Sequence, residues 1–206
     1  MSNKTIDLYW DLGSTNSYFA IKLIKPIARR HNAHIHWHPF NLGHVFQRQN
    51  YVLMDESKAK LRNRRDDLNR WARRYELPFR MPSNFPIKTS RALRGALAMR
   101  QWDKEEAFID AIFGAYWEDD CADIGDYTRL GSIAEGLGIH SAEFVAAAES
   151  AEVRAQLIDS TNAALEQGVF GAPSIKIGDE LYWGKDRMEF IDDQFCLLYT
   201  SDAADE

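Results

Sequence analysis

Apolar and polar residues alternate in two stretches near the start of the chain, residues 5–11 and residues 34–40. A period of two is typical of strands, because successive side chains point to opposite faces of a sheet. Between the two stretches, turn residues are followed by apolar residues at helical spacing, which predict a helix that ends near His31. Pro26 is expected to kink or shorten this helix. The chain is therefore predicted to begin with a strand, a helix and a second strand.

The middle of the chain has helical periodicity instead of alternation. Two of the helix starts carry capping signals: Ser141 as an N-cap, and Asp103 with Glu106 three residues later as a capping box. Six further helices are predicted, over residues 56–75, 89–102, 104–117, 126–137, 141–148 and 152–167.

The last part of the chain returns to strands. Residues 174–177 and 180–183 predict a hairpin with a two-residue Gly-Asp turn, and a last helix is expected to begin near Asp186. A Gly-Ala-Pro tripeptide that ends at Pro173 leads into the hairpin. Such a tripeptide before a short apolar strand, late in a chain that starts strand–helix–strand, is the layout of a thioredoxin-like fold. In that fold the proline is usually cis and faces the start of the first long helix.

We therefore predict an α/β protein with a thioredoxin-like fold and an all-α insertion domain, the architecture of disulfide oxidoreductases. Residues 1–45 and 168–206 are expected to form the discontinuous thioredoxin-like domain, and residues 46–167 the helical insertion domain. Residues 196–206 break the amphipathic pattern of the last helix and are similar to translated sequencing-adapter sequence. We interpret them as a non-native tail.

Composition narrows the class of function. With 206 residues, of which 45% are hydrophobic, the chain can bury one core, or one domain with a large insertion. A net charge of −6 argues against non-specific nucleic-acid binding. No apolar run approaches the roughly 18 residues of a membrane helix, and the first residues lack a secretory pattern. Cys121 and Cys196 have the spacing of neither a redox pair nor a metal site, so a reducing, cytoplasmic setting is expected.

A serine stands where redox members of the thioredoxin-like group carry a C-x-x-C motif. The first predicted strand leads into a turn that ends at Ser14, with no cysteine nearby. Taken alone, a serine before a helix is most often a simple N-cap. With Ala172-Pro173 opposite it, Ser14 can also donate a hydrogen bond to a thiolate, the reactive form of a thiol. Since serine cannot form a mixed disulfide, this arrangement suits a bound thiol as cofactor or substrate.

Three histidines, His34, His36 and His38, alternate along the second predicted strand and so share one face. No carboxylate or cysteine lies at ligand spacing in the sequence around them, so no metal site is predicted. Six aromatic residues are expected mostly in the core, with one or two of them lining a substrate pocket: Tyr9, Trp10, Tyr18, Trp37, Tyr116 and Trp117.

Five motifs occur in order along the chain: D-x-x-S at 11–14, D-L-x-R-W-A at 67–72, N-F-P-x-x-T at 84–89, V-F-G-A-P at 169–173 and W-G-K-D-R at 183–187. Together they resemble the 2-hydroxychromene-2-carboxylate isomerases and their relatives, the kappa-class glutathione transferases. The resemblance extends to about Gln194. One departure is Ser14-Thr15-Asn16, where the family usually has Ser-Pro-Tyr.

The resemblance implies that Ser14 is the catalytic residue and hydrogen-bonds the sulfur of glutathione, the implied cofactor. It also implies that the backbone before Pro173 pairs with the tripeptide and that Lys185 and Asp186 hold its γ-glutamyl end. The residues implied to contact glutathione are Asn50, Lys60, Ala172, Pro173, Lys185 and Asp186.

By the same resemblance, the protein is expected to interconvert 2-hydroxychromene-2-carboxylate and trans-o-hydroxybenzylidenepyruvate in the bacterial breakdown of naphthalene-like aromatics. A small aromatic substrate and a homodimer are implied, with no nucleic-acid or membrane partner. A kappa-class-like transferase that joins glutathione to electrophiles is the alternative. Two further hypotheses are a dithiol oxidoreductase and a non-catalytic binding module.

Overall fold

A computed structural model describes residues 4–50 and 56–202, with side chains as far as Leu197. Its four strands form one sheet with the order β2-β1-β3-β4, in which β1 and β2 are parallel and the other two pairs are antiparallel. The strands are Thr5–Trp10 (β1), His34–Pro39 (β2), Ser174–Ile177 (β3) and Glu180–Trp183 (β4).

Helices fill most of the rest of the described chain. Helix α1 (Thr15–Arg30) connects β1 to β2, and helix α2 (Leu42–Gln49) follows β2 directly. The helices between them and β3 are Lys58–Arg74 (α3), Ser90–Met99 (α4), Glu105–Trp117 (α5), Tyr127–Gly136 (α6), Ser141–Glu149 (α7) and Ala151–Glu166 (α8). A 3₁₀ turn, Arg100–Trp102, extends α4, and Met188–Asp202 (α9) ends the described chain. None of the helices in these described ranges is both long and apolar enough to cross a membrane.

The predicted fold class is confirmed. The six predicted insertion helices begin and end within two residues of their predicted limits when the 3₁₀ turn is counted with α4. Helix α2 was not predicted, and α9 begins at Met188 instead of near Asp186. Pro26 lies inside α1 and does not end it, so the helix is not cut short there. The division into two domains and the non-native origin of residues 196–206 stay predictions.

Both predicted N-caps in the insertion are wrong. Asp103 has a left-handed backbone (φ 55°) that closes the preceding 3₁₀ turn, so it cannot adopt the extended conformation of an N-cap. Ser141 is the first residue of α7, after the N-cap His140, and its side chain packs directly against Gly131 of α6. Helix packing therefore takes the place of the expected capping contact.

Apolar clusters lie on both faces of the sheet, and the alternation of β1 separates the two sides. Ile6, Leu8 and Trp10 are fully buried in the large core shared with α1 and the insertion helices. Tyr9, on the other side, belongs to a smaller cluster with Phe40 and residues of α2 and α8. This second cluster fixes α2 beside the carboxyl end of β1.

Asp11 is a buried carboxylate that ties three elements together at that end of β1. It is 1% exposed. One carboxylate oxygen accepts the backbone N–H of Gly13 at 2.8 Å, and the other accepts the N–H of Leu42 at 2.9 Å and the hydroxyl of Thr89 at 3.2 Å. Burial raises the pKa of Asp11, while these three hydrogen bonds act in the opposite direction. The turn before α1 is thereby held to the first residues of α2 and to the residue before α4.

We predict that Asp11→Ala lowers the free energy of unfolding by about 2–4 kcal/mol, because it leaves buried donors without an acceptor. Urea unfolding followed by circular dichroism measures the change. Asp66→Ala, at an exposed position of α3, is the control and should stay within about 0.5 kcal/mol of the parent. Equal effects of the two substitutions would contradict the anchoring role of Asp11.

Candidate functional site

Ser14 lies at the N-cap of α1 and faces the proline loop before β3. Its hydroxyl oxygen accepts the backbone N–H of Ser17 at 3.1 Å and donates its proton to the carbonyl oxygen of Ala172 at 2.9 Å. The Ala172–Pro173 peptide bond is cis, which is the usual conformation in the predicted fold. Ser14 is partly exposed, so a ligand can reach its hydroxyl. The structure thus brings three of the predicted site residues together.

The Ser14 hydroxyl can donate only one hydrogen bond, and in this structure the Ala172 carbonyl accepts it. If the hydroxyl rotates, it donates this hydrogen bond to an anion beside Ser14 instead, and the N–H of Ser17 can still donate to the same oxygen. A neutral hydrogen bond contributes about 0.5–1.5 kcal/mol and one to a charged group about 1.5–3 kcal/mol, so rotation toward an anion is favourable. The Ala172 carbonyl is then free to accept a donor from the ligand.

The segment after β4 is held against the same loop. The backbone N–H of Gly184 donates to the carbonyl of Pro173 at 3.1 Å. Gly184 has a positive φ of 107°, and a Cβ there would lie 2.7 Å from a carboxylate oxygen of Asp186, so the position requires glycine. The exposed Asp186 accepts a hydrogen bond from Arg187 at 2.9 Å. Asp186 is therefore two residues from the backbone contact that attaches this segment to the proline loop.

Lys185 points toward α3 and is largely covered. Its ammonium lies 3.3 Å from a carboxylate oxygen of Asp67 and 4.9 Å from the centre of the Trp71 ring, and its side chain is 12% exposed. A cleft of about 310 Å³ opens beside it. The cleft is lined by Arg70, Trp71, Arg74, Tyr75, Lys185, Asp186, Met188 and Glu189.

Lys60 and Asn50 lie farther from the proline loop. Lys60 precedes Asp67 by seven residues, so it lies on the same side of α3, about 10 Å along the helix axis. Its side chain is 65% exposed and pairs with Glu56 at 2.9 Å. Asn50 is exposed and ends α2 in a left-handed conformation, eight residues or about 12 Å from the helix start near Asp11. The structure does not place either residue in contact with Ser14.

An exposed aromatic pair flanks the proline loop, and the sequence did not identify it as part of the site. Phe170 is 53% exposed and Trp183 is 51% exposed. Their ring centres are 5.3 Å apart. A Cβ at Gly171 would lie 2.9 Å from the Trp183 ring nitrogen, so the glycine allows the ring to pack against the loop. The only sequence signal for this pair was that Phe170 lies in the V-F-G-A-P motif and Trp183 in the W-G-K-D-R motif.

The aromatic residues expected in the core are there: those of the two strands and of the first and fifth helices are buried. They are Tyr9, Trp10, Tyr18, Trp37, Tyr116 and Trp117. Both cysteines are free, and burial raises the pKa of the Cys121 thiol to about 11, with hydrogen bonding to Asp123 acting in the same direction. Cys121 is therefore protonated at neutral pH and is a poor nucleophile.

The expectation that the strand histidines lack a carboxylate neighbour is wrong. Asp7 of β1 is in register with His36 of β2, and a carboxylate oxygen of Asp7 lies 2.7 Å from Nε2 of His38. Burial lowers the pKa of the His38 imidazole, while Asp7 acts in the opposite direction. The carboxylate comes from the adjacent strand, and sequence spacing along one strand cannot reveal it.

Comparison with known proteins agrees with this geometry. A family model for the DsbA-like thioredoxin domain matches residues 5–195. The 2-hydroxychromene-2-carboxylate isomerase of Sphingobium xenophagum is 30% identical over 191 residues, covering 92% of this chain and 96% of the relative. The isomerase of the same name from Pseudomonas putida is 28% identical over 201 residues, covering 96% of this chain and 97% of the relative.

Solved structures give the same picture. A 2-hydroxychromene-2-carboxylate isomerase superposes with a TM-score of 0.86 at 26% identity, covering 98% of this chain and 99% of the other. A probable DsbA oxidoreductase from Streptomyces coelicolor has a TM-score of 0.80 at 16% identity, covering 96% and 91% of the two chains, which is a likeness of fold alone. The chain therefore belongs to the DsbA-like thioredoxin domain family, and its sequence and fold place it among the 2-hydroxychromene-2-carboxylate isomerases.

Proposed function

We propose that this protein is a glutathione-dependent isomerase that interconverts 2-hydroxychromene-2-carboxylate and trans-o-hydroxybenzylidenepyruvate. The observation that carries the proposal is the Ser14 hydroxyl at the start of α1, 2.9 Å from the carbonyl before the cis proline. The names of the relatives supply the substrate and the class of reaction, isomerisation. The context we propose is the breakdown of aromatic hydrocarbons, with a small aromatic acid as substrate.

Ser14 would activate glutathione by stabilising its thiolate. A thiol with a pKa of about 8.5 or above is mostly protonated at neutral pH. A hydroxyl that donates to the thiolate contributes about 1.5–3 kcal/mol, and the N-terminus of α1 about 0.3–1 kcal/mol. At about 1.36 kcal/mol for each pKa unit, these contributions together lower the thiol pKa by roughly one to three units. Over most of that range the thiolate is the major form.

The rest of the tripeptide would extend from Ser14 along the proline loop toward α3. Rotation of the Ser14 hydroxyl frees the Ala172 carbonyl, which then accepts a backbone N–H of glutathione. At neutral pH glutathione carries two carboxylates and one ammonium group. Asp186 suits the ammonium, and Lys185 suits the carboxylate beside it, with Asp67 sharing the lysine. Lys60 and Asn50 would contact the tripeptide from the more distant ends of α3 and α2.

The reaction we propose is reversible addition of the sulfur. In the chromene direction the ring C–O bond of the cyclic hemiketal breaks first and its hydroxyl proton passes to the phenolate oxygen, which leaves a keto group and a cis C=C bond in the side chain. The thiolate then adds to the benzylic carbon of that side chain, and the C=C electron pair moves onto the keto oxygen to give an enolate. The former double bond is now single and rotates. Return of the electron pair re-forms the C=C bond and expels the thiolate. Glutathione is regenerated, so it acts as a cofactor and is not consumed.

The aromatic ring of the substrate would lie against Phe170 and Trp183. These side chains are more than half exposed and sit directly beside Ala172 and Pro173, the residues that would hold the glutathione backbone. Large exposed aromatic side chains next to a reactive group are typical of a binding surface for a flat apolar ligand. A substrate ring on this surface places its side chain near the sulfur.

We expect Ser14→Ala to lower kcat/KM of glutathione-dependent isomerisation at least tenfold, because a hydrogen bond to the charged sulfur is lost. The matched control is Ser150→Ala, which removes a serine N-cap of the same kind from α8, where Ser150 accepts the N–H of Val153 at 3.2 Å. Both variants lose a helix cap, so a change specific to Ser14 reports on catalysis. A folded Ser14→Ala protein with activity within twofold of the parent would rule out the mechanism.

Isomerisation and conjugation use the same thiolate and differ in the fate of the adduct. We expect the protein to isomerise the chromene carboxylate through many turnovers while the concentration of free glutathione stays constant. An aryl halide assayed side by side should give at most slow conjugation. Steady loss of glutathione with accumulation of a conjugate, without isomerisation, would show that the protein is a glutathione transferase instead.

A further inference from the structure

The sheet face that carries the three strand histidines also carries a carboxylate, and this cluster is separate from the Ser14 site. Asp7 and His36 are register partners on the parallel strands β1 and β2, and His38 lies two residues farther on the same face. Asp7 precedes Ser14 by seven residues, and the stretch of β1 from Asp7 to its end at Trp10 alone spans about 10 Å. The cluster therefore needs an explanation of its own.

The ligand-type atoms of this cluster converge on one point. Nε2 of His38 lies 2.7 Å from Oδ1 of Asp7, and Nδ1 of His36 lies 3.3 Å from the same oxygen. The three candidate ligand atoms all lie within 4.8 Å of one another. The three side chains are 32–49% exposed, so an ion from solvent can reach them.

We propose that Asp7, His36 and His38 form a binding site for a divalent transition-metal ion of the Zn²⁺ or Co²⁺ type. Two imidazole nitrogens and one carboxylate oxygen are donors that such ions prefer, whereas Mg²⁺ and Ca²⁺ prefer oxygen donors alone. Bonds of about 2.0–2.2 Å in a tetrahedral site place the ligand atoms about 3.3 Å apart, so small side-chain rotations convert the present cluster into a coordination set. Three protein ligands leave the fourth position to water.

The surrounding residues orient the ligands and also limit the affinity. The His38 ring stacks on Tyr9 with ring centres 4.7 Å apart, which holds the imidazole in place. Lys176 is the register partner of Asp7 on β3, and the charge of Arg100 acts on His38, so both oppose a cation. His34, with its ring centre 5.0 Å from that of His36, offers a further imidazole at the edge of the cluster. We therefore expect a single site that is weaker than a closed four-ligand site.

The test uses the full-length protein with any affinity tag removed and with metal stripped by a chelator. Calorimetric titration with Zn²⁺ should give one equivalent bound, and Co²⁺ should give the visible absorption bands of a tetrahedral site. Asp7→Asn and His38→Ala should each weaken Zn²⁺ binding at least tenfold. His140→Ala, which removes an exposed histidine elsewhere, is the matched control and should leave binding unchanged.

Absence of a saturable site with one equivalent of Zn²⁺ would overturn the proposal, as would binding that survives both Asp7→Asn and His38→Ala. If either variant fails to fold, crystals of the parent protein soaked in Zn²⁺ decide the matter. Anomalous scattering from one ion between Asp7, His36 and His38 supports the site, and its absence there overturns it. Glutathione-dependent isomerisation is a separate measurement, so the outcome for the metal does not depend on the proposed function.

Discussion

The hydrogen bond from the Ser14 hydroxyl to the Ala172 carbonyl is the contact on which the site depends. It joins residues 158 positions apart in sequence. The sheet makes it possible: β1 and β3 are antiparallel neighbours, so the carboxyl end of β1, which leads to Ser14, lies beside the start of β3, which follows Pro173. The N–H of Gly184 then attaches the Lys185–Asp186 segment to the same loop. One strand register therefore assembles the candidate site from both ends of the chain.

The fold is shared with disulfide oxidoreductases, but the group at the start of α1 decides what chemistry is possible. A hydroxyl can donate to a sulfur anion and cannot form a disulfide with it. The protein supports this position with the buried Asp11 carboxylate, whose three hydrogen bonds hold the turn, α2 and the residue before α4 in place. Burying a carboxylate is costly, and here the three hydrogen bonds offset that cost while they hold the turn that leads to Ser14.

Local patterns were sufficient to predict most of the elements. The alternation of β1 and β2, the hairpin of β3 and β4 and the periodic apolar positions of the insertion helices all depend on burial of one face, which sequence records directly. Helix α2 was missed although Leu42, Val45 and Phe46 have helical spacing, because eight residues with a single buried side chain are too few to show a repeating pattern. The two wrong N-caps have other origins. The backbone at Asp103 closes the preceding 3₁₀ turn, and the Ser141 side chain packs against Gly131.

The candidate site could be predicted only in part. Sequence order identified Ser14 and Pro173, because a turn before a helix and a proline before a strand are local features. The exposure of Phe170 and Trp183 depends on how β4 packs on the proline loop. The approach of Asp7 to His36 and His38 depends on strand register. Both features depend on contacts between segments that are distant in sequence, so residue spacing along the chain could not predict them.

The most direct test of the central claim is titration of the glutathione thiol while it is bound to the protein, followed by the ultraviolet absorbance of the thiolate. If the Ser14 hydroxyl holds the ionised sulfur, the bound thiol should have a pKa roughly one to three units below that of free glutathione. In Ser14→Ala most of that shift should disappear. A bound thiol that titrates at the same pH as free glutathione would contradict the role assigned to Ser14.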